Sequence, residues 1–377
     1  MPALEEFVRS KNKELEKNSL KRSIKNTYRT TDSVHINRDG KEYISFCCND
    51  YLGLSQDEMV IEASIEAAWR YGAGAGASRL ITGNNPLYDE LERNLARIKC
   101  TEASCIFGSG YLANIGVISA LVGKGDLVIA DKLVHSCIYD GIKLSGATLK
   151  VYSHNSLNKL SNILKEKRKN HSKCLIITET IFSMDGDRAP IEELYKLAEE
   201  NDAWLMTDDA HGFGVINQEN KAHIQVGTLS KAVGCYGGYV CASKEVIDYI
   251  KTSAKSLIYS TALPPAVLFS AITALDIMEQ KKKKVSEPLR KAKLFTTLLE
   301  IKEAESAIVP IIIGGEKETL AAADKLEKTG FLVSAIRPPT VKKGTSRLRV
   351  TFSSLHSDKD IEKLASVVKD MGLLGNE

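Results

Sequence analysis

Long apolar runs are missing from this 377-residue sequence. No stretch approaches the roughly 18 uninterrupted apolar residues of a membrane-crossing helix, so no membrane partner is expected. Neither sign of charge dominates: 51 basic and 48 acidic residues leave a net charge of +3, too balanced to argue for nucleic acid. The one local excess, Lys281 to Lys284, reads as the solvated part of a helix or loop. Eight cysteines, at 47, 48, 100, 105, 137, 174, 235 and 241, contain no CxxC pair and no repeated spacing. That excludes a disulfide framework and a zinc site and fits a reducing compartment. Cys174 and Cys241 lie in apolar runs, where cysteine behaves as a small hydrophobe. Met1 to Arg22 is highly charged and lacks an apolar core, so no signal peptide is expected and the expected location is the cytoplasm. There is no internal repeat and no low-complexity tract.

What is present is an ordinary globular composition, 43% hydrophobic and 26% charged. Single cores stop growing at roughly 250–300 residues, so a large core plus a second domain is expected. Residues 4–25 carry many charges with Leu4, Phe7, Val8, Leu15 and Leu20 between them and read as a helical arm. Leu87, Leu91, Leu95 and Ile98 recur at helical spacing behind Pro86, which predicts a helix over 86–99. From Leu127 onward strands and helices alternate: strands at 127–130, 148–152, 174–178 and 203–208, helices at 156–169 and 190–200. This is the rhythm of a mostly parallel sheet covered on both faces. A smaller α+β unit follows, with strands at 308–313, 332–336 and 347–352. The expected organisation is an arm over 1–45, a large domain over 46–270 and a small C-terminal domain over 271–377.

In such a sheet functional groups gather at the carboxyl ends of strands, and Glu179, Ser183, Asp208 and His211 all fall there. Asp208-Asp209-Ala210-His211 closes an apolar strand, and about twenty residues later Gly227-Thr228-Leu229-Ser230-Lys231 places one lysine among small residues and hydroxyls. A lysine so exposed to a planar ligand can capture an aldehyde. Pyridoxal phosphate (PLP) requires that lysine, a carboxylate for its ring nitrogen, and donors for its ring oxygen and phosphate. The competing assignment is a metal-dependent hydrolase built on Asp208, His211 and Glu179. Adjacent strand residues point to opposite faces, so Asp208 and Asp209 do not readily grip one ion, and no metal is expected. Gly72 to Arg79 spells a dinucleotide fingerprint in letters. A helix precedes it where a strand is required, so a loop passing close to a ligand is the better assignment. Phe107-Gly108-Ser109-Gly110-Tyr111 opens an apolar helix and is either a phosphate cradle or a tight turn. His135, alone at a helix start, reads from its own context as structural.

Six segments together resemble the α-oxoamine synthases: Asn49–Ser55 (NDYLGLS), Phe107–Tyr111 (FGSGY), Glu179–Asp187 (ETIFSMDGD), Thr207–Gly214 (TDDAHGFG), Gly227–Lys231 (GTLSK) and Ile258–Pro265 (IYSTALPP). They span nearly the whole chain in the family's order. The resemblance implies a PLP-dependent transferase of the aspartate aminotransferase type (fold type I) that joins an amino acid to an acyl thioester with loss of carbon dioxide. It implies that Lys231 holds PLP, Asp208 pairs with the ring nitrogen, His211 bonds the ring hydroxyl and His135 stacks on the ring. Ser183 and Thr228 would contact the cofactor, with Gly110 and Tyr111 near its phosphate. Thr261 would reach the phosphate of a partner subunit in a homodimer with shared sites. Arg22, Asn49, Thr340 and Arg349 would face substrate, and the planar fork of Arg349 suits a carboxylate.

Ala335–Val341 (AIRPPTV) with Gly344–Arg349 (GTSRLR) resembles the biotin-pathway branch, whose substrates are L-alanine and pimeloyl-CoA or a pimeloyl-acyl-carrier protein. Relatives that take glycine with acetyl- or succinyl-CoA usually carry Tyr-Pro at Pro338-Pro339. Two departures stand out. The N-terminal substrate arginine could be replaced in register by Lys21, with Arg22 favoured, and Tyr88 stands where relatives commonly carry histidine.

Overall fold

A computed structural model describes residues 3–373 apart from 31 and 33. It separates into two compact units. One comprises Asn49–Ser183 with Asp187–Glu287; the other comprises the residues up to Cys48, Met184–Gly186 and those from Pro288 on.

The larger unit is built on a seven-stranded sheet in the spatial order Ala103–Phe107, Gly238–Ala242, Ile224–Thr228, Trp204–Asp208, Cys174–Glu179, Leu127–Asp131 and Thr148–Tyr152. The last five run parallel, and Gly238–Ala242 is antiparallel to both of its neighbours. Apolar runs make both faces hydrophobic, as two-sided coverage requires. Val128, Ala130, Leu175, Ile177 and Met206 pack under helices Gly110–Leu121, Ser136–Ser145 and Lys244–Ser253. Leu127, Ile129, Cys174, Ile176 and Leu205 pack under Leu157–Lys167 and Ile191–Glu200. Each buried aliphatic side chain contributes roughly 1.5–3 kcal/mol, so the strand ends that carry polar groups stand on a rigid base.

The expected helix over 86–99 is present as Pro86–Ile98, with the Asn85 side chain accepting the Leu87 N–H as its cap. Two strands escaped the sequence pattern, Ala103–Phe107 and Ile224–Thr228. In the second, Gln225, Gly227 and Thr228 dilute the apolar signal although every residue is buried. Gly72–Arg79 is indeed a loop, tied by the Ser78–Thr261 bridge and the Ala262 N–H to Ala77 carbonyl bond.

The smaller unit holds the antiparallel strands Ile308–Gly314, Ser346–Thr351 and Ser334–Ile336, flanked by helices Glu316–Lys328 and Asp358–Asp370. Two differences from expectation have clear physical causes. The N-terminal helix ends at Lys17, and Tyr28–Arg29, His35–Arg38 and Lys41–Ser45 join Phe331–Leu332 in a second sheet. The division near the C-terminus falls between Glu287 and Pro288 rather than near 270. Helix Pro265–Gln280 packs against Glu58–Tyr71 and Pro86–Ile98 and so belongs to the larger unit.

Candidate active site

The parallel strands place Glu179 and Asp208 side by side at their carboxyl ends. Asp208 is buried; its Oδ1 accepts the Ala210 N–H at 2.9 Å and its Oδ2 accepts the Asn114 amide at 2.7 Å. Asp209 points elsewhere, taking the Lys99 ammonium at 2.5 Å and the Thr180 hydroxyl at 2.5 Å. This divergence is the strand alternation expected from the sequence, and it leaves Asp208, with Glu179 beside it, facing the site. A Cβ at Gly212 would fall 2.3 Å from Asp209 Oδ1, so only glycine lets the turn close over that side chain. The turn delivers His211, buried, with Nδ1 2.7 Å from the Tyr51 hydroxyl and Nε2 2.7 Å from Lys231 Nζ.

Lys231 follows strand Ile224–Thr228 in a turn closed by the Gly234 N–H to Lys231 carbonyl bond. His135 caps helix Ser136–Ser145: its Nδ1 accepts the Cys137 N–H at 3.2 Å, with the Cys137 thiol 3.0 Å away. With Nδ1 serving as acceptor, the ring proton sits on Nε2. Burial pulls this imidazole below its ordinary value, against the opposing charge of Asp208 and with that of Lys231. His135 is therefore neutral. Burial, reinforced by Asp208, pushes the Glu179 carboxyl up to about 8. Its Oε2 accepts the Ser183 N–H, and its Oε1 is buried without a hydrogen-bond partner among the described residues.

Helix Gly110–Leu121 begins beside the end of strand Ile224–Thr228. Ser109 caps it through the Leu112 N–H, and a Cβ at Gly110 would come within 3.2 Å of Thr228 Cβ. Thr228 Oγ1 lies 2.7 Å from Ser230 Oγ and donates to the Gly237 carbonyl at 2.8 Å. Amides at a helix start and two hydroxyls are the groups an anion cradle requires.

The donor set therefore fits PLP on every side. It offers an amine for the aldehyde, a carboxylate for the ring nitrogen, imidazoles for the ring oxygen and ring face, and an anion cradle for the phosphate. Tyr111 starts the cradle helix and gives its hydroxyl to Asp140, and Thr261 lies exposed in the bridge to Ser78.

Asn49 opens the larger unit, and its Oδ1 is 3.4 Å from the Tyr51 hydroxyl. The other substrate candidates lie in the smaller unit. There Arg22 Nη2 donates to Thr340 Oγ1 at 3.2 Å, and Arg349 is buried to 4% exposure on strand Ser346–Thr351. The unusual Tyr88 serves the structure of its surroundings. Its hydroxyl accepts the Leu263 N–H at 2.7 Å, and the Arg79 guanidinium lies 3.9 Å over its ring. Sequence reasoning assigned no role to Asn114, Tyr51 or Lys99. Tyr51 lay within a segment already singled out, whereas nothing local marked Asn114 or Lys99.

Fold and site define a PLP-dependent enzyme of fold type I, and the chain belongs to the aminotransferase class I and II family, whose family model matches residues 41–368. More particularly, it is 49% identical over 381 residues to a protein of Parvibaculum lavamentivorans named "Putative 8-amino-7-oxononanoate synthase", covering 98% of each chain. It is 47% identical over 378 residues to the 8-amino-7-oxononanoate synthase of Beijerinckia indica, again covering 98% of each. Among solved structures, a serine palmitoyltransferase from S. paucimobilis superposes with a TM-score of 0.91 at 25% identity, over 99% of this chain and 100% of that one. An 8-amino-7-oxononanoate synthase from Francisella tularensis gives 0.75 at 27% identity, over 88% and 98%.

Proposed function

We propose that this chain catalyses 8-amino-7-oxononanoate synthesis, the decarboxylative condensation of L-alanine with pimeloyl-CoA or a pimeloyl-acyl-carrier protein in biotin formation. The observation that carries the chemistry is the Lys231 amine 2.7 Å from His211 Nε2, with the strand-end carboxylate of Asp208 three residues before that histidine. The choice of substrates is supported by full-length relatives at 47–49% identity bearing that name.

When bound, PLP supplies an aldehyde for Lys231 and a protonated ring that takes up the negative charge left on an amino-acid carbon. Asp208, held by Asn114 and the Ala210 N–H, keeps the ring nitrogen protonated by its charge. The Lys231 amine removes the alanine Cα proton and later returns one. His211 would donate to the ring oxygen, and neutral His135 would offer a flat face without adding charge. Arg349 would bind a substrate carboxylate; Arg22, Asn49 and Thr340 are the further residues proposed to face substrate. Alanine Cα joins the thioester carbonyl carbon and the CoA thiolate leaves. The alanine carboxyl then departs as carbon dioxide.

Two copies pair, with Thr261 of each contributing to the other's phosphate cradle. One face of helix Glu58–Tyr71 supports this: Val60, Ala63 and Ala67 are buried, while Ile61, Ile65 and Trp69 form an exposed stripe, Trp69 at 87%. Among the described residues no helix is long and apolar enough to cross a membrane, which is compatible with action in the cytoplasm.

The deciding experiment offers alanine, glycine and serine in turn with pimeloyl-, succinyl- and acetyl-CoA and measures CoA release, with the product identified by mass. Alanine with pimeloyl-CoA should be fastest. Glycine with acetyl- or succinyl-CoA outrunning it would move the chain to the glycine C-acetyltransferase or 5-aminolevulinate synthase type. Loss of activity on chelation would instead favour a metal-dependent hydrolase.

A further inference from the structure

Tyr51 lies in the NDYLGLS segment, yet the chemistry above gives it no role. It is fully buried, its ring meets His211 edge-on with centroids 6.1 Å apart, and its hydroxyl stands 2.7 Å from Nδ1. On the opposite side of the same imidazole, Nε2 faces Lys231 Nζ at 2.7 Å. The Asn49 side-chain carbonyl oxygen is the acceptor on the far side of the hydroxyl, at 3.4 Å.

We propose that Tyr51 is a positioning residue that pairs with Nδ1 of His211 in both of its neutral tautomers, one imposed when Lys231 faces Nε2 and the other when the cofactor is held. This rests on the assignment of Lys231 and His211 to PLP. A lysine ammonium has donors only, so the Nε2 that faces it must accept, and the ring proton sits on Nδ1. That proton is donated to the Tyr51 oxygen, and the Tyr51 O–H turns to Asn49. A charged cofactor oxygen requires the opposite, a donor at Nε2. His211 supplies one when Nδ1 becomes the acceptor, and the Tyr51 O–H rotates to donate to it. Both states are neutral imidazoles, so the ring gains and loses no net proton. A hydroxyl is donor and acceptor at once and satisfies both states from one position. Phenylalanine offers neither donor nor acceptor, so Nδ1 would lose its Tyr51 partner in both.

The test is nitrogen NMR of protein labelled at histidine, with and without PLP, the His211 signals being identified by their loss in His211→Asn. Without PLP the expected pattern is a protonated Nδ1 and a bare Nε2; with PLP the pattern reverses. Tyr51→Phe should leave the proton where the group at Nε2 puts it and move the Nδ1 signal in both states, because the hydrogen bond from the Tyr51 hydroxyl to Nδ1 is gone. The same tautomer in both wild-type states, or averaging in both, would overturn the proposal even if Tyr51→Phe does not fold. A folded Tyr51→Phe with wild-type Nδ1 signals in both states would overturn it as well. Wild-type protein that takes up no PLP, judged by visible absorbance, would instead refute the cofactor assignment. In that case the cofactor-free spectrum alone decides for or against Tyr51, by whether Nδ1 carries the proton.

Discussion

Removing the Lys99 ammonium should reveal how much of the site's rigidity comes from one ion pair beneath it. Lys99 ends helix Pro86–Ile98 and reaches Asp209 at 2.5 Å, with both side chains only 8% exposed. Asp209 in turn anchors the His211 turn. Its N–H bonds the Val226 carbonyl at 2.7 Å, and its carbonyl accepts from Gly212 and Phe213. Lys99→Met keeps the length of the side chain and strands a buried carboxylate whose remaining hydrogen bond is the Thr180 hydroxyl. Breaking a buried pair in this way costs about 3–5 kcal/mol. Lys99→Met combined with Asp209→Asn keeps an acceptor for Thr180 and removes the orphaned charge, so the double variant should be more stable than the single. The measurement is equilibrium urea unfolding of cofactor-free protein, so that ligand binding does not contribute. A single-variant loss below about 1 kcal/mol, or a double variant that loses the sum of both singles, would show that no uncompensated buried charge is involved.

Lys231→Ala should abolish CoA release, since removal of a general base alone typically costs about 10²–10⁴-fold; a near-normal rate would remove Lys231 from the chemistry. Asn114→Ala takes away the 2.7 Å donor to Asp208 Oδ2 and should weaken PLP binding about tenfold, read by a fluorescence titration. His356 stacks on Phe46 at 4.0 Å, donates from Nε2 to the Ser45 carbonyl and accepts the Ser353 N–H at Nδ1, and burial holds it down at about 4. Its folded value lies below the unfolded 6.5, so its stabilisation is complete above pH 6.5 and is lost as pH falls through about 4. The gap corresponds to about 3 kcal/mol. Urea midpoints measured across that window should slope less in His356→Gln than in wild type.

The placing of Asp208 at a strand end, with His211 in the turn after it, was legible because the two follow directly on an apolar run: an apolar strand, a polar tip, a turn. The alternation that sends Asp209 away from Asp208 followed from strand geometry alone. Tyr51, Asn114 and Lys99 were not legible, since their partners lie 160, 94 and 110 residues away and no periodicity encodes those distances. Strand Ile224–Thr228 was hidden for a related reason. Its Gln225 is buried because its amide finds the Asn220 carbonyl, a satisfaction that composition does not display. The neutrality of His135 likewise required the helix cap to be seen, because a lone histidine at a helix start has no distinguishing pattern.

That cap ties two events together. The nitrogen of His135 that ends the helix is the same one an added proton would occupy, so acidification cannot charge the ring without also unfastening the first turn of Ser136–Ser145. The ring proposed as the cofactor's platform is therefore held in orientation by the cap of its own helix. Protonation should loosen the ring and the first helical turn together.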